Sequence, residues 1–344
     1  MKLLAYKIPG LRVILETADK RIKARAEGPL SFLAKSICEE FNDYISGPPA
    51  AILKDGAFIS TAFPLAPSEP FRRLMSAQLK HHLFGKCTPE CVAIMVTSRC
   101  QCKCPHCIAY GIKSKDELST NEICDVIDQA LELGAYQISF EGGEPTLRRD
   151  LPELIAHIDK SKATARVVTN GLLLTKEYVR RLKRAGLDIL TISLDSPYPE
   201  IHDQFRGVSG LFDRVTKGIK HAVKVGLIVC VIYVASPQNS DSETMNKMLE
   251  YCESLGVHEL LIDEIFPSGR WSGKDVLSER DRESLINLAN TQERNTCVTA
   301  FFISGVQIYS AASLGDDGCL SHQQARSCHA CTPLSHSETS GRCI

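Results

Sequence analysis

Residues 100–107 read Cys-Gln-Cys-Lys-Cys-Pro-His-Cys. Four thiols so close together exceed what core packing asks for. With Cys102 set aside, Cys100, Cys104 and Cys107 stand at C-x3-C-x2-C. Three thiolates on one short loop suit a cubane [4Fe–4S] cluster, which takes four ligands and would keep one iron open for a substrate or cofactor. A zinc knuckle or a set of buried free thiols fits the same loop when it is read alone.

The elements around the loop favour the cluster. Strand-like runs at 92–97, 136–140, 166–169, 189–194, 227–234 and 259–265 alternate with helix-like runs at 120–133, 151–158, 175–185, 211–225, 242–255 and 279–289. Ser119 with Glu122 reads as a capping box, and Thr175 as an N-cap. Alternation at about 30 residues per unit predicts a parallel sheet with helical crossovers. Six units suit a partial (β/α)6 barrel rather than a closed eight-stranded one, and sites in such folds gather at the C-terminal strand ends. The unusual residues fall there. The cysteine loop follows the first strand, Gly142-Gly143-Glu144-Pro145 the second and Thr169-Asn170-Gly171 the third, while Ser193-Leu194-Asp195-Ser196 closes the fourth. Each alone has a plain turn or cap reading; their coincidence at one end of successive strands does not.

A C-x3-C-x2-C loop followed some 35 residues later by Gly-Gly-Glu-Pro resembles the radical S-adenosylmethionine (SAM) enzymes over roughly residues 90–275. The resemblance implies that Cys100, Cys104 and Cys107 hold a [4Fe–4S] cluster and that SAM chelates its open iron. It implies that the backbone of Gly142, Gly143 and Glu144 receives the SAM amino group, that Thr169, Asn170 and Ser193 lie by the ribose, and that Asp195 stands behind them. His106 occupies the place of an aromatic residue that packs on adenine. Cys102 is extra and is expected to point elsewhere. The pattern Ser193-Leu-Asp-Ser, His202-Asp203, Arg206-Gly207 and Gly210-Leu-Phe is similar to the branch with peptide-modifying, quinone-cofactor and haem-forming members, where Arg206 would pair with the SAM carboxylate. Pro267-Ser268-Gly269-Arg270 is similar, more weakly, to haem-synthase-like members. The implied chemistry is reductive cleavage of SAM to a 5′-deoxyadenosyl radical, fed by an external electron donor of flavodoxin or ferredoxin type. No general base is needed for that step, although Asp263 and Glu264 at the end of the sixth strand are expected near a substrate.

Towards the C-terminus, Cys328-x2-Cys331-x11-Cys343 resembles the short auxiliary-cluster ("twitch") domain of several relatives, with Cys319 as a fourth ligand. A second Fe–S cluster is the expectation there, with zinc or a disordered tail as alternatives. Residues 1–90 read as a helical or mixed extension: one or two helices over 18–44, a hairpin over 51–62 around Asp55-Gly56, and a helix from Pro70 to about Phe84. The division expected is 1–90, 91–290 for the barrel and 291–344 for the cysteine-rich domain. Cys87 and Cys91 form a further C-x3-C pair without an evident third ligand.

Bulk numbers set outer limits. Forty Lys and Arg against 41 Asp and Glu give a net charge of −1 over 344 residues, with no basic excess to suggest nucleic acid. Fifteen cysteines in so long a chain do not read as a secreted disulfide scaffold. Cys38, Cys124, Cys230 and Cys252 read as small apolar residues. The N-terminus is a poor signal peptide and the apolar run 226–235 is too short to span a bilayer, so a reducing cytoplasm is expected. The basic helix of residues 70–84 (Arg72, Arg73, Lys80) reads as a solvated face, with a peripheral membrane contact as the sharper alternative. For the substrate, a peptide or protein ranks first, a tetrapyrrole second and a lipid third. A non-catalytic zinc- or Fe–S-binding protein is the reading from another class.

Overall fold

The computed structural model describes residues 2–18, 21–44, 51–53, 56–110, 117–267, 269–290 and 299–303. Three strands, β1 (Lys2–Ile8), β2 (Leu11–Ala18) and β3 (Arg21–Glu27), open the chain as an antiparallel sheet in the order β1-β2-β3. The extension is thus mixed, and β3 corrects the expectation of a helix before Gly28. The signal is two-residue alternation: Leu11, Val13 and Leu15 on β2, and Ile22 and Ala24 on β3, are buried while intervening side chains face outward. Only the second half of the expected helical stretch is helical, as α1 (Lys35–Tyr44). The hairpin is present as β4 (Ala51–Leu53) and β5 (Gly56–Phe58), pairing Ala51 with Phe58. Helix α2 (Glu69–Phe84) starts on a Ser68 N-cap with Pro70 in its first turn, and Gly85 closes it at φ 63°. Its basic face is not simply solvated. Arg73 donates to the carbonyl of Leu131 at 2.5 Å, and His82 meets the Ser36 hydroxyl at 2.6 Å.

From residue 91 the chain alternates as expected. The elements are β6 (Cys91–Thr97), α3 (Thr120–Leu133), β7 (Gln137–Gly142), α4 (Leu151–His157), β8 (Thr164–Thr169), α5 (Lys176–Arg184), β9 (Ile189–Ser193), α6 (Pro199–Arg206), α7 (Leu211–Lys224), β10 (Ile228–Ala235), α8 (Ser242–Leu255), β11 (Glu259–Glu264), α9 (Glu279–Asn290) and β12 (Thr299–Ile303). The strands form one sheet in the order β12-β11-β10-β9-β8-β7-β6, and each neighbouring pair is parallel. Sequential order with helical crossovers is a partial barrel. The predicted six units are all present. A seventh strand, β12, was not expected, and it takes residues 299–303 out of the predicted cysteine-rich domain and into the barrel sheet.

The outer face of the sheet packs on the helices through one large apolar cluster that includes Ile138, Phe140, Val167, Ile192, Val231 and Ile262. The inward face carries the alternate residues. At the N-terminal strand ends the segment after β5 closes the barrel. Phe58 packs on Ile189 and Ile228. Ser60 donates to one oxygen of the buried Glu259 at 2.6 Å, the Thr61 amide and hydroxyl both reach the other, and Gln137 donates to the Thr61 carbonyl at 3.0 Å. The N-terminal region therefore stops one mouth of the barrel and leaves the C-terminal strand ends to hold the site.

Candidate functional site

The cysteine loop runs from the end of β6 and is pinned at both flanks by one side chain. Arg148, in the turn after β7, donates to the carbonyls of Val96 at 3.0 Å and Leu118 at 2.7 Å. Its other nitrogens grip Asp150 at 2.9 and 2.5 Å. The hydrogen bonds from Arg148 hold the Asp150 carboxyl down, from 3.8 to about 2.

The turn after β7 is fixed on the same strand end. The amides of Gly143 and Glu144 donate to the carbonyls of Thr97 and Arg99, both at 2.8 Å. Gly142 sits at φ 130°, and a Cβ on Gly143 would stand 2.2 Å from the Arg99 carbonyl oxygen. These glycines are required by the approach of the protein's own backbone at Thr97 and Arg99. The Glu144 side chain is fully buried and ties the next strand end in. One oxygen accepts from the Thr146 amide at 3.0 Å and the Thr169 hydroxyl at 2.6 Å, and the other from the Asn170 amide at 2.7 Å. Burial pushes its carboxyl up, and these hydrogen bonds pull against that.

Asn170 then returns to the cysteine loop. Its side-chain amide donates toward Cys100 Sγ at 3.7 Å and Gln101 Oε1 at 3.2 Å. Ser193 stands half-buried at the end of β9, level with Ile232. Arg206, at the end of α6, grips the two oxygens of Asp195 through Nε (2.5 Å) and Nη2 (2.9 Å), and turns Nη1 to Cys104 Sγ at 3.6 Å. Burial would push Asp195 up; the guanidinium overrides it and holds the carboxyl low. His106 stacks on Phe205 with ring centroids 4.6 Å apart, and burial lowers it to about 4, so it is neutral near pH 7. Its Nδ1 is buried with no hydrogen-bond partner among the described residues.

Cys102 packs against the large apolar cluster, and its thiol is the leading cause that lowers Cys100 to about 6 and Cys104 to about 7. Cys107 is raised by burial.

The turn after β11 covers the loop from the other side. Arg270 donates to the Cys104 carbonyl at 2.9 Å and lies over the Tyr110 ring, while a Cβ on Gly269 would stand 2.6 Å from the Cys107 carbonyl oxygen. The two carboxylates expected near a substrate separate here. Asp263 is exposed at the end of β11, whereas Glu264 is held by Arg282 at 2.6 Å. The Cys87–Cys91 pair also separates. Cys87 meets His81 Nδ1 at 3.6 Å, and Cys91, on β6, is pushed up to about 12 by burial. Cys319, Cys328, Cys331 and Cys343 lie outside the described residues.

Among the described residues no three His, Cys, Asp or Glu side chains already stand as a metal-ion site. The donor chemistry nonetheless suits a thiolate-bound cluster. Soft sulfur ligands share one loop, two have depressed pKa values, and N–H donors from Asn170 and Arg206 face those same two sulfurs. Sequence reasoning missed Arg148, Phe205 and the Asn170–Cys100 contact. The signal for Phe205 was its place one residue before Arg206; Arg148 and Asn170 act through tertiary contacts alone.

Known proteins resemble the chain over the same region. The model of the Radical SAM superfamily matches residues 94–251. An Fe-coproporphyrin III synthase of Methanosarcina barkeri is 38% identical over 168 residues, covering 48% of this chain and 42% of that protein. A PqqA peptide cyclase of Granulibacter bethesdensis is 34% identical over 167 residues, covering 47% and 43%. The crystal structure of Streptococcus suis SuiB bound to S-adenosylmethionine superposes with a TM-score of 0.56 at 18% identity, over 69% of this chain and 56% of that one. The chain thus spans less than half the length of these two curated relatives.

Proposed function

We propose that the chain, whose residues 94–251 match the Radical SAM superfamily model, is an enzyme in which Cys100, Cys104 and Cys107 hold a [4Fe–4S] cluster that binds SAM. When bound, that pair supplies a 5′-deoxyadenosyl radical, which removes hydrogen from a substrate carbon. The observation that carries the reading is the convergence of four successive strand ends on one cysteine loop, with N–H donors turned to two of its sulfurs.

The protein's own residues position and exclude. Arg148 fixes the flanks of the loop. Glu144 locks the turn after β7 to the end of β8; the backbone carbonyls of Gly142, Gly143 and Glu144 would receive the SAM amino group, and Thr169 and Asn170 would lie by its ribose. Ser193 stands beside them. His106, neutral and stacked on Phe205, offers an apolar ring face to adenine. Asp263, exposed at the end of β11, would face a substrate. The one-electron donor is a flavodoxin- or ferredoxin-type protein. Cys319, Cys328, Cys331 and Cys343 hold an auxiliary Fe–S cluster.

The substrate is a peptide or protein, a reading supported by the likeness to a peptide cyclase over about half of the chain. A tetrapyrrole is the second reading, favoured by the 38% identity to an Fe-coproporphyrin III synthase. No helix among the described residues is long and apolar enough to cross a membrane. Anaerobic turnover with candidate peptides and porphyrins, followed by mass analysis of products, separates the two. A peptide that loses hydrogen in step with 5′-deoxyadenosine formation supports the first; a porphyrin product with inert peptides replaces it by the second.

A further inference from the structure

The Arg206 guanidinium is immobilised. Nε and Nη2 are spent on Asp195, at 2.5 and 2.9 Å, so the plane of the group is fixed and Nη1 is left facing Cys104 Sγ at 3.6 Å. Asp195 is held in turn, accepting from the Val234 amide at 3.2 Å, while its own amide donates to His202 Nδ1 at 3.2 Å and its carbonyl accepts from Asn239 at 3.2 Å. The loop is tied at the same point, where the Lys103 amide donates to the Arg206 carbonyl at 2.9 Å. Arg206 is 7% exposed and Asp195 1%. The pair is therefore a fixed dipole in a water-poor site, with its cationic end toward one of the cysteine sulfurs.

We infer that Arg206 is a positioning residue that raises the reduction potential of a cluster held through Cys104, and that Asp195 is the opposing charge that limits the rise. The inference rests on the cluster reading above. Reduction adds one electron from the external donor to [4Fe–4S]2+, giving [4Fe–4S]+ with no bond made or broken in the protein. The added charge spreads onto the ligating sulfurs. An N–H donor and a nearby cation stabilise the reduced state more than the oxidised one, and charge and hydrogen bonds to sulfur are what tune such potentials. Low local dielectric strengthens the effect. Asp195 keeps the site close to neutral overall, so its removal and the removal of Arg206 act in opposite directions.

The test is an EPR-monitored redox titration of the full chain, reconstituted anaerobically and measured without SAM so that contacts to SAM do not enter. Iron and sulfide are assayed on every sample. Arg206→Gln is expected to make reduction at least tenfold less favourable, a midpoint lower by about 59 mV for one electron. Asp195→Asn, which leaves an acceptor for Arg206 but no charge, is expected to raise the midpoint. Unchanged midpoints in both cluster-loaded variants, or shifts of the same sign, overturn the inference while leaving the cluster reading intact. If Arg206→Gln loads no cluster, Asp195→Asn decides alone: a higher midpoint supports the inference, and an unchanged or lower one overturns it. A wild-type chain that takes up no cluster overturns the underlying reading and this inference together.

Discussion

Glu144 shows how much of the site hangs on single side chains. It is a buried carboxylate that accepts hydrogen bonds from Thr146, Thr169 and Asn170. Glu144→Gln replaces one acceptor oxygen with a donor that faces other donors. The expected cost is about 2–3 kcal/mol, since an unsatisfied buried polar group forfeits its desolvation. Urea unfolding checks this, and Glu144→Asp is expected to lie between the two. The Arg148–Asp150 pair gives a pH dependence. The Asp150 carboxyl is lowered from 3.8 to about 2 by its hydrogen bonds to Arg148, so the folded state binds its proton less readily than the unfolded one. Its contribution is present above about pH 4 and is lost as pH falls toward 2. In Asp150→Asn the urea midpoint is expected to vary less between about pH 5 and pH 3 than in the wild type. The residues that do chemistry were legible because their types are unusual for their places: three thiols at fixed spacing, paired glycines and a carboxylate at a strand end. What the residues around them pair with was not. Asp195 and Arg206 are eleven apart and at different element ends, and only the packed fold brings them to one sulfur.

At the scale of elements, the barrel was readable and the N-terminal region was not. Apolar runs of five to eight residues between well-capped helices have a single consistent packing, and β6 to β11 fall where the periodicity puts them. The first strands were overlooked because charged residues such as Lys2, Arg12 and Arg25 dilute an alternating pattern that buries one face only. β12 was hidden behind the expectation that residues after 290 serve a cysteine-rich domain. Ser60 and Thr61 reach across the barrel to Glu259 at the start of β11. Glu259→Ala strands those buried donors and is expected to destabilise the fold by about 2–4 kcal/mol. Chemical denaturation reads the loss directly, and a variant as stable as the wild type would show that the plug does not brace the barrel.

For the whole molecule, the architecture assigns each end of the barrel a task. One mouth is stopped by the N-terminal region, and the other gathers the ends of β6, β7, β8 and β9 around the cysteine loop. That polarity explains why substitutions far apart in sequence should share one phenotype, and why zinc chemistry or simple thiol burial accounts poorly for the same residues. Those alternatives need the cysteines but not the strand ends aimed at them. The central claim is that Cys100, Cys104 and Cys107 hold a cluster that cleaves SAM. Its most direct measurement is 5′-deoxyadenosine formation from SAM under dithionite, with iron and sulfide assayed on the same anaerobic sample and Cys104→Ala as the control. About four irons with matching sulfide are expected for this cluster, about four more if the C-terminal cysteines hold a second of the same kind, and 5′-deoxyadenosine from the wild type but not from Cys104→Ala. Zinc without sulfide, or a Cys104→Ala chain that still cleaves SAM reductively, would contradict it.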